Sequence, residues 1–84
     1  MDIRQLEYFV ACCEQGSFNK AAACLYTTQP NVSKVISSLE RELGRELFDR
    51  GSKGIRLTPF GETIREYAGN ILKKAGLIRS MAPA

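Results

Sequence analysis

Val32, Val35, Ile36, Leu39 and Leu43 recur at i, i+3, i+4, i+7 and i+11, the stripe of one face of an α-helix. Thr28 is suited to cap that helix, and Pro30 falls in its first turn, where a missing N–H costs nothing. Upstream, Ile3, Leu6, Phe9, Val10 and Cys13 mark a first helix that starts at Asp2, with Gln5 completing a capping-box pattern, and stops at Gly16. Phe18, Ala21, Ala22 and Leu25 stripe a short second helix behind Ser17, and the small side chains of Ala21-Ala22-Ala23 let another helix approach closely. Gly44 closes the third helix. Glu46–Arg50 and Ile55–Thr58 then flank the polar turn Gly51-Ser52-Lys53-Gly54 and read as a β-hairpin.

Thr58-Pro59 supplies another cap and first-turn proline, opening a long helix from Pro59 to Arg79. Its apolar residues Ile64, Ala68, Ile71, Ala75 and Ile78 are spaced 4, 3, 4, 3, a heptad-like seam. Phe60 and Tyr67 widen the arc on one side and Leu72 on the other. A helix about 30 Å long cannot easily cover such an arc on a body about 25 Å across. The simplest cover is a second copy of the same helix, giving a two-fold dimer with Ile64, Ala68, Ile71, Ala75 and Ile78 at the interface. Packing on its own domain alone is the competing reading.

The third helix is unusual on its outer side. Pro30, Ser33, Lys34, Ser37 and Arg41 point away from the apolar stripe, and between Glu14 and Glu40 the chain carries Lys20 and Lys34 but no acid. Residues 50–61 carry Arg50, Lys53 and Arg56, again without an acid. A small, polar, acid-free face can lie against an anion. Two short helices joined tightly, followed by a hairpin, read as a helix-turn-helix with a wing. The same periodicity fits an αα-hairpin without a ligand, and the wing competes with a surface loop of solvated charges.

Composition narrows the function further. Eighty-four residues with 44% apolar content make one small domain with a real core, and the net charge of +3 points only weakly to nucleic acid. With no histidine, no metal-ligand cluster, no Gly-rich phosphate loop and little chain for a pocket, neither catalysis nor a cofactor nor a metal is expected. Cys12, Cys13 and Cys24 read as buried small hydrophobes in a reducing cytosol, a redox-sensing thiol being the sharper alternative. No apolar run approaches the ~20 residues of a membrane span. A cytoplasmic, nucleoid-associated location is expected.

The ordered motifs resemble the N-terminal DNA-binding domain of LysR-type transcriptional regulators along nearly the whole chain. They are Leu6-x-x-Phe9, Gly16-Ser17-Phe18, Ala21-Ala22-x-x-Leu25, Thr28-Gln29-Pro30-x-Val32-Ser33, Ile36-x-x-Leu39-Glu40-x-x-Leu43-Gly44, Leu47-Phe48-x-Arg50 and Leu57-Thr58-x-x-Gly61. The resemblance implies a mainly α winged helix-turn-helix over residues 1–58, with a two-stranded wing, and a linker or dimerisation helix over 59–84. It also implies a C-terminal effector-binding domain absent from this chain, so that any small-molecule effector acts through the missing part. Family members bind interrupted palindromes in double-stranded DNA as homodimers and, at full length, tetramers. Carried over residue by residue, Thr28, Gln29, Pro30, Ser33 and Lys34 match base-reading and phosphate-contacting positions, and Arg50, Ser52 and Lys53 match the wing. Asn31 departs from the family pattern and, as an amide able to bond adenine bidentately, joins the candidate contacts, as does Ser37. The recognition helix, residues 28–39, is expected to enter a major groove N-terminus first, its free N–H groups facing phosphate. A winged-helix protein-interaction domain without nucleic acid is the alternative.

Overall fold

Every helix begins where a short polar side chain turns back on the backbone. In the computed structural model, which describes residues 1–51 and 54–83, four helices and two strands follow in the order α1 (Ile3–Gln15), α2 (Phe18–Cys24), α3 (Gln29–Leu43), β1 (Phe48–Gly51), β2 (Gly54–Leu57) and α4 (Pro59–Ser80). Asp2 accepts from the Gln5 N–H at 2.7 Å while Gln5 Oε1 accepts from the Asp2 N–H at 3.0 Å, closing the expected capping box. Ser17, Thr28 and Thr58 cap the other helices by accepting from Lys20, Asn31 and Gly61 N–H groups. Gly16 and Gly44 end α1 and α3 with φ of 67° and 76°, a left-handed turn that a Cβ disfavours.

The core lies where α1, α2 and α3 meet the base of the hairpin. Phe9, Cys12, Ala21, Val32, Ile36, Leu39 and Leu47 are fully buried. Phe48, first in β1, sets its ring 5.4 Å from that of Phe9 and edge-on at 5.8 Å to Phe18, locking the wing to α1 and α2. The α1 stripe is shifted from its expected position. Tyr8 and Cys12 are buried, whereas Ile3, Val10 and Cys13 are only half-buried. A helix face is about 100° wide, and α1 packs against α2, α3 and α4, so its buried arc reaches beyond the strongest hydrophobes. The hairpin pairs Phe48 with Leu57, Asp49 with Arg56, Arg50 with Ile55 and Gly51 with Gly54.

Gly61 makes the closest join between the hairpin and α4. A Cβ there would run into the Leu47 carbonyl, the same oxygen that accepts the Thr58 N–H at 3.0 Å. The helix starts at Pro59 as expected, but residue 58 is not an edge of the core. Ala68 is 1% exposed, and Ile64 and Leu72 pack beside it against the domain itself.

The expected seam on α4 is therefore divided. Ala68, and with it Ile64, is committed to the chain's own core, because Ile64, Ala68 and Leu72, four residues apart, form the side of α4 that packs on that core. Ala75 is half-buried beyond them. Ile71 and Ile78 remain outside, joined by Tyr67, Leu77 and Met81. The molecule measures 46 × 25 × 19 Å, and at 1.5 Å per residue α4 accounts for about 33 Å of that length.

Candidate nucleic-acid interface

Helix α3 is gripped on one side and bare on the other. Val32, Val35, Ile36 and Leu39 are buried. Pro30, Lys34, Ser38 and Arg41 are exposed, with Gln29, Ser33 and Ser37 half-exposed beside them. Thr28, also exposed, spends its hydroxyl oxygen as the cap. No acid interrupts this face from Gln29 to Ser38, and Glu40, the next acid, turns inward with its side chain 11% exposed.

The leading turn offers fewer N–H groups than the sequence implies. Pro30 has none, that of Asn31 goes to Thr28 Oγ1 at 3.3 Å, and that of Val32 goes to the Thr28 carbonyl at 3.1 Å. Anion contact at this end therefore depends on side chains and on the N–H of Gln29, more than on a cluster of free backbone donors.

Shallow depressions flank α3. One is lined by Ser17, Asn19, Gln29, Arg50 and Gly54, between the starts of α2 and α3 and the wing. The other is lined by Asp2, Arg4, Asn31, Lys34 and Ser38, where the start of α1 meets α3. Asn19 and Arg4 thus join the site although neither lies in a motif that marks it. Only the tertiary placement of α1 and α2 brings them there. Asp2 brings an acid to the rim of the second depression, which the linear charge pattern had placed elsewhere. Tyr26, in the turn between α2 and α3, is 97% exposed with φ of 55°. Its signal is a bulky residue in the left-handed region, which sequence alone does not display.

Two expected contact residues are tied by hydrogen bonds to other parts of the protein. Asn31 directs Nδ2 to Thr27 Oγ1 at 2.9 Å and to Tyr8 Oη at 3.4 Å, with Arg4 donating to the same Tyr8 oxygen at 3.3 Å. Its amide donors are occupied, so bidentate pairing with adenine requires breaking this network. Arg50 was expected among the wing contacts to DNA. Instead its Nη2 donates to Glu40 Oε1 at 3.0 Å and to Ser37 Oγ at 3.4 Å, and the guanidinium lies 5.2 Å from the Phe18 ring centre. Arg56, on β2, is an exposed wing cation as well. Ser52 and Lys53 lie outside the described residues.

The cysteines divide as well. Burial pushes the Cys12 thiol up to about 12, with Cys13 adding to the rise and Arg50 opposing it. Cys13 rises to about 11, through burial first, with Arg65 opposing and Glu14 adding. Both fit the reading of small hydrophobes. Cys24 does not, since it is exposed. Among the described residues no cluster of side chains is arranged to hold a metal ion, and no helix is long and apolar enough to cross a membrane.

A three-helix core carrying a two-stranded wing defines a winged helix-turn-helix. Residues 3–62 match the model of the bacterial regulatory helix-turn-helix proteins of the lysR family, and the chain belongs to that family. It is 43% identical over 81 residues to the HTH-type transcriptional regulator BenM of Acinetobacter baylyi, covering 96% of this chain and 27% of that protein. It is 42% identical over 72 residues to ClcR of Pseudomonas putida, covering 86% of this chain and 24% of that one. The chain thus spans about a quarter of the length of these curated relatives, which are named as regulators and not as enzymes. Among solved structures, the BenM DNA-binding domain in complex with catB site 1 DNA superposes with a TM-score of 0.93 at 43% identity, covering 96% of this chain and 91% of that one. The CbnR DNA-binding domain in its DNA complex gives 0.91 at 39% identity, over 95% and 92% of the two chains.

Proposed function

We propose that this chain binds double-stranded DNA sequence-specifically, as the N-terminal part of a bacterial LysR-type transcriptional regulator. One observation carries the reading: α3 is fully seated by its apolar stripe while its outer face, Gln29 to Ser38, is exposed, short-chained and without an acid. Such a face fits a major groove without holding the helix away from the bases. That similar domains form DNA complexes supports the DNA-binding reading.

In this reading Gln29 reads a base edge, adenine most naturally. Lys34 meets a guanine or a phosphate, Ser33 and Ser37 donate to phosphate oxygens, and Thr28 and Pro30 set the approach of the leading turn. Asn31 acts from behind, fixing that turn through Tyr8 and Thr27. The wing lies on the flanking backbone or minor groove, with Arg56 as a phosphate partner. Two copies joined through the exposed face of α4 present two α3 helices to the halves of an interrupted palindrome. The longer regulator assembles as a tetramer and takes its small-molecule effector in a C-terminal domain. It works in the cytoplasm, on the nucleoid.

The test is a fluorescence titration of duplexes recovered by the chain from a random pool, repeated over a series of salt concentrations. The expected result is binding whose log affinity falls linearly with log salt and exceeds that for scrambled duplex by about a thousandfold or more. Equal affinity for selected and scrambled duplex, or no salt dependence, overturns the reading.

A further inference from the structure

Glu40 is the one acid of α3 that faces the wing, and all of its bonding capacity is directed there. Oε2 accepts the N–H of Leu47 at 2.7 Å and that of Phe48 at 3.3 Å, while Oε1 accepts from Arg50 at 3.0 Å. Arg50 in turn touches three elements: its own strand β1, Ser37 on the outer face of α3, and the ring of Phe18 at the start of α2. The carboxylate side chain is 11% exposed and the guanidinium 42%. Such a pair is asymmetric. If Arg50 left for a phosphate, a nearly buried carboxylate would face a polyanion without its counter-charge, a situation far costlier than a surface ion pair is worth.

We infer that Glu40 and Arg50 form a clasp that fixes the angle between the recognition helix and the wing, and that Arg50 serves DNA binding through this geometry and not by contacting a phosphate. The inference rests on the DNA-binding reading above, which it deepens. Arg50 is thus a positioning residue. Its charge is already neutralised by Glu40, so the pair contributes no counterion release of its own. Arginine is required over lysine because its Nη2 reaches both Ser37 and Glu40 while the delocalised guanidinium lies over the Phe18 ring, which a lysine ammonium at the end of a flexible stem does not reproduce.

The measurement uses a duplex recovered from a random pool by the wild-type chain, titrated against variants at several salt concentrations. Arg50→Lys keeps the charge but loses the guanidinium that lies over Phe18 while bonding Ser37 and Glu40, and should weaken binding about tenfold, with an unchanged slope of log affinity against log salt. A phosphate contact would instead tolerate lysine, and Arg50→Ala would lower the slope by about one. Affinity of Arg50→Lys within twofold of wild type, or a slope lowered by one in Arg50→Ala, overturns the inference. Glu40→Gln removes a negative charge near DNA yet should weaken binding to the selected duplex, and tighter binding overturns the inference. The clasp is also read without DNA. Hydrogen exchange at the Leu47 and Phe48 amides should accelerate in Glu40→Gln while the α1 and α4 amides keep their rates. If Glu40→Gln melts below the assay temperature, Arg50→Lys carries the same exchange test at Phe48. Unchanged exchange at these amides overturns the clasp. Absence of selective binding by the wild-type chain overturns the DNA reading instead and leaves the exchange result standing.

Discussion

Helices α3 and α4 are started by the same device, a threonine cap with a proline in the first turn, yet they end in opposite situations. Along α3, Val32, Val35, Ile36 and Leu39 are buried, and the opposite face is polar. Along α4 only Gly61 and Ala68 are buried, and Tyr67, Ile71, Leu77, Ile78 and Met81 lie exposed. The first helix is fixed in place by its own domain, so its outer face is free to meet a ligand of different chemistry. The second is fixed over its first half only, and its remaining apolar surface calls for more apolar surface. Burial of a side chain such as leucine or isoleucine is worth roughly 1.5–3 kcal/mol, so a few such residues left in water are a sizeable incentive to associate. One small domain thus separates what it holds rigid from what it offers to a partner.

Breaking the seat of α3 should have the largest effect. Leu39→Ala removes fully buried methyl groups and should cost about 2–5 kcal/mol, read as a large drop in the denaturant midpoint. For an 84-residue domain this approaches the whole stability, and DNA binding should disappear with it. Next is the join between wing and α4. Gly61→Ala drives a methyl into the Leu47 carbonyl and should cost about 1–3 kcal/mol, whereas Gly69→Ala, whose Cβ meets nothing, should stabilise slightly. Ile71→Asp and Ile78→Asp should sharpen the contrast from the α4 side. Each should shift sedimentation toward monomer while leaving the monomer's own melting within about 0.5 kcal/mol of wild type. Ile64→Asp should unfold the domain instead, because Ile64 packs on the core.

Lys34→Ala acts on the exposed face of α3. It should leave stability unchanged and lower the salt slope of DNA binding by about one. A pH dependence is confined to alkaline solution. Cys12 has an ordinary value of 9.0 and is raised to about 12 in the fold, so the unfolded chain loses this proton first as pH rises. Stability is unaffected by the thiol below pH 9 and declines between pH 9 and 12, a decline that Cys12→Ala should reduce in melts across that range, leaving the part due to Cys13, itself raised to about 11.

Periodicity and caps made the elements legible. Asp2, Ser17, Thr28 and Thr58 each start a helix, and Gly16 and Gly44 each end one, because these residues satisfy local backbone demands that need no tertiary partner. The outer face of α3 was legible for the same reason, since its acid-free stretch is a property of sequence and helical angle alone. Where side chains meet across elements, sequence was a poor guide. Arg50 and Asn31 have the chemistry of DNA contacts, and nothing local announces that Glu40 and Tyr8 lie within reach. The seam on α4 is divided for a related reason. A 4-3-4-3 spacing describes one stripe, but the domain's own core takes the side of the helix that carries Ile64, Ala68 and Leu72, and that choice depends on where the hairpin delivers the chain.

Sequence reading by the leading turns of α3 is the central claim, and binding-site selection from a random DNA pool tests it most directly. The wild-type chain should enrich two half-sites related by a two-fold axis. Gln29→Ala should enrich the same half-sites with the preference flattened at one or two symmetric positions. No enriched motif, or a motif unchanged by Gln29→Ala, would contradict the account.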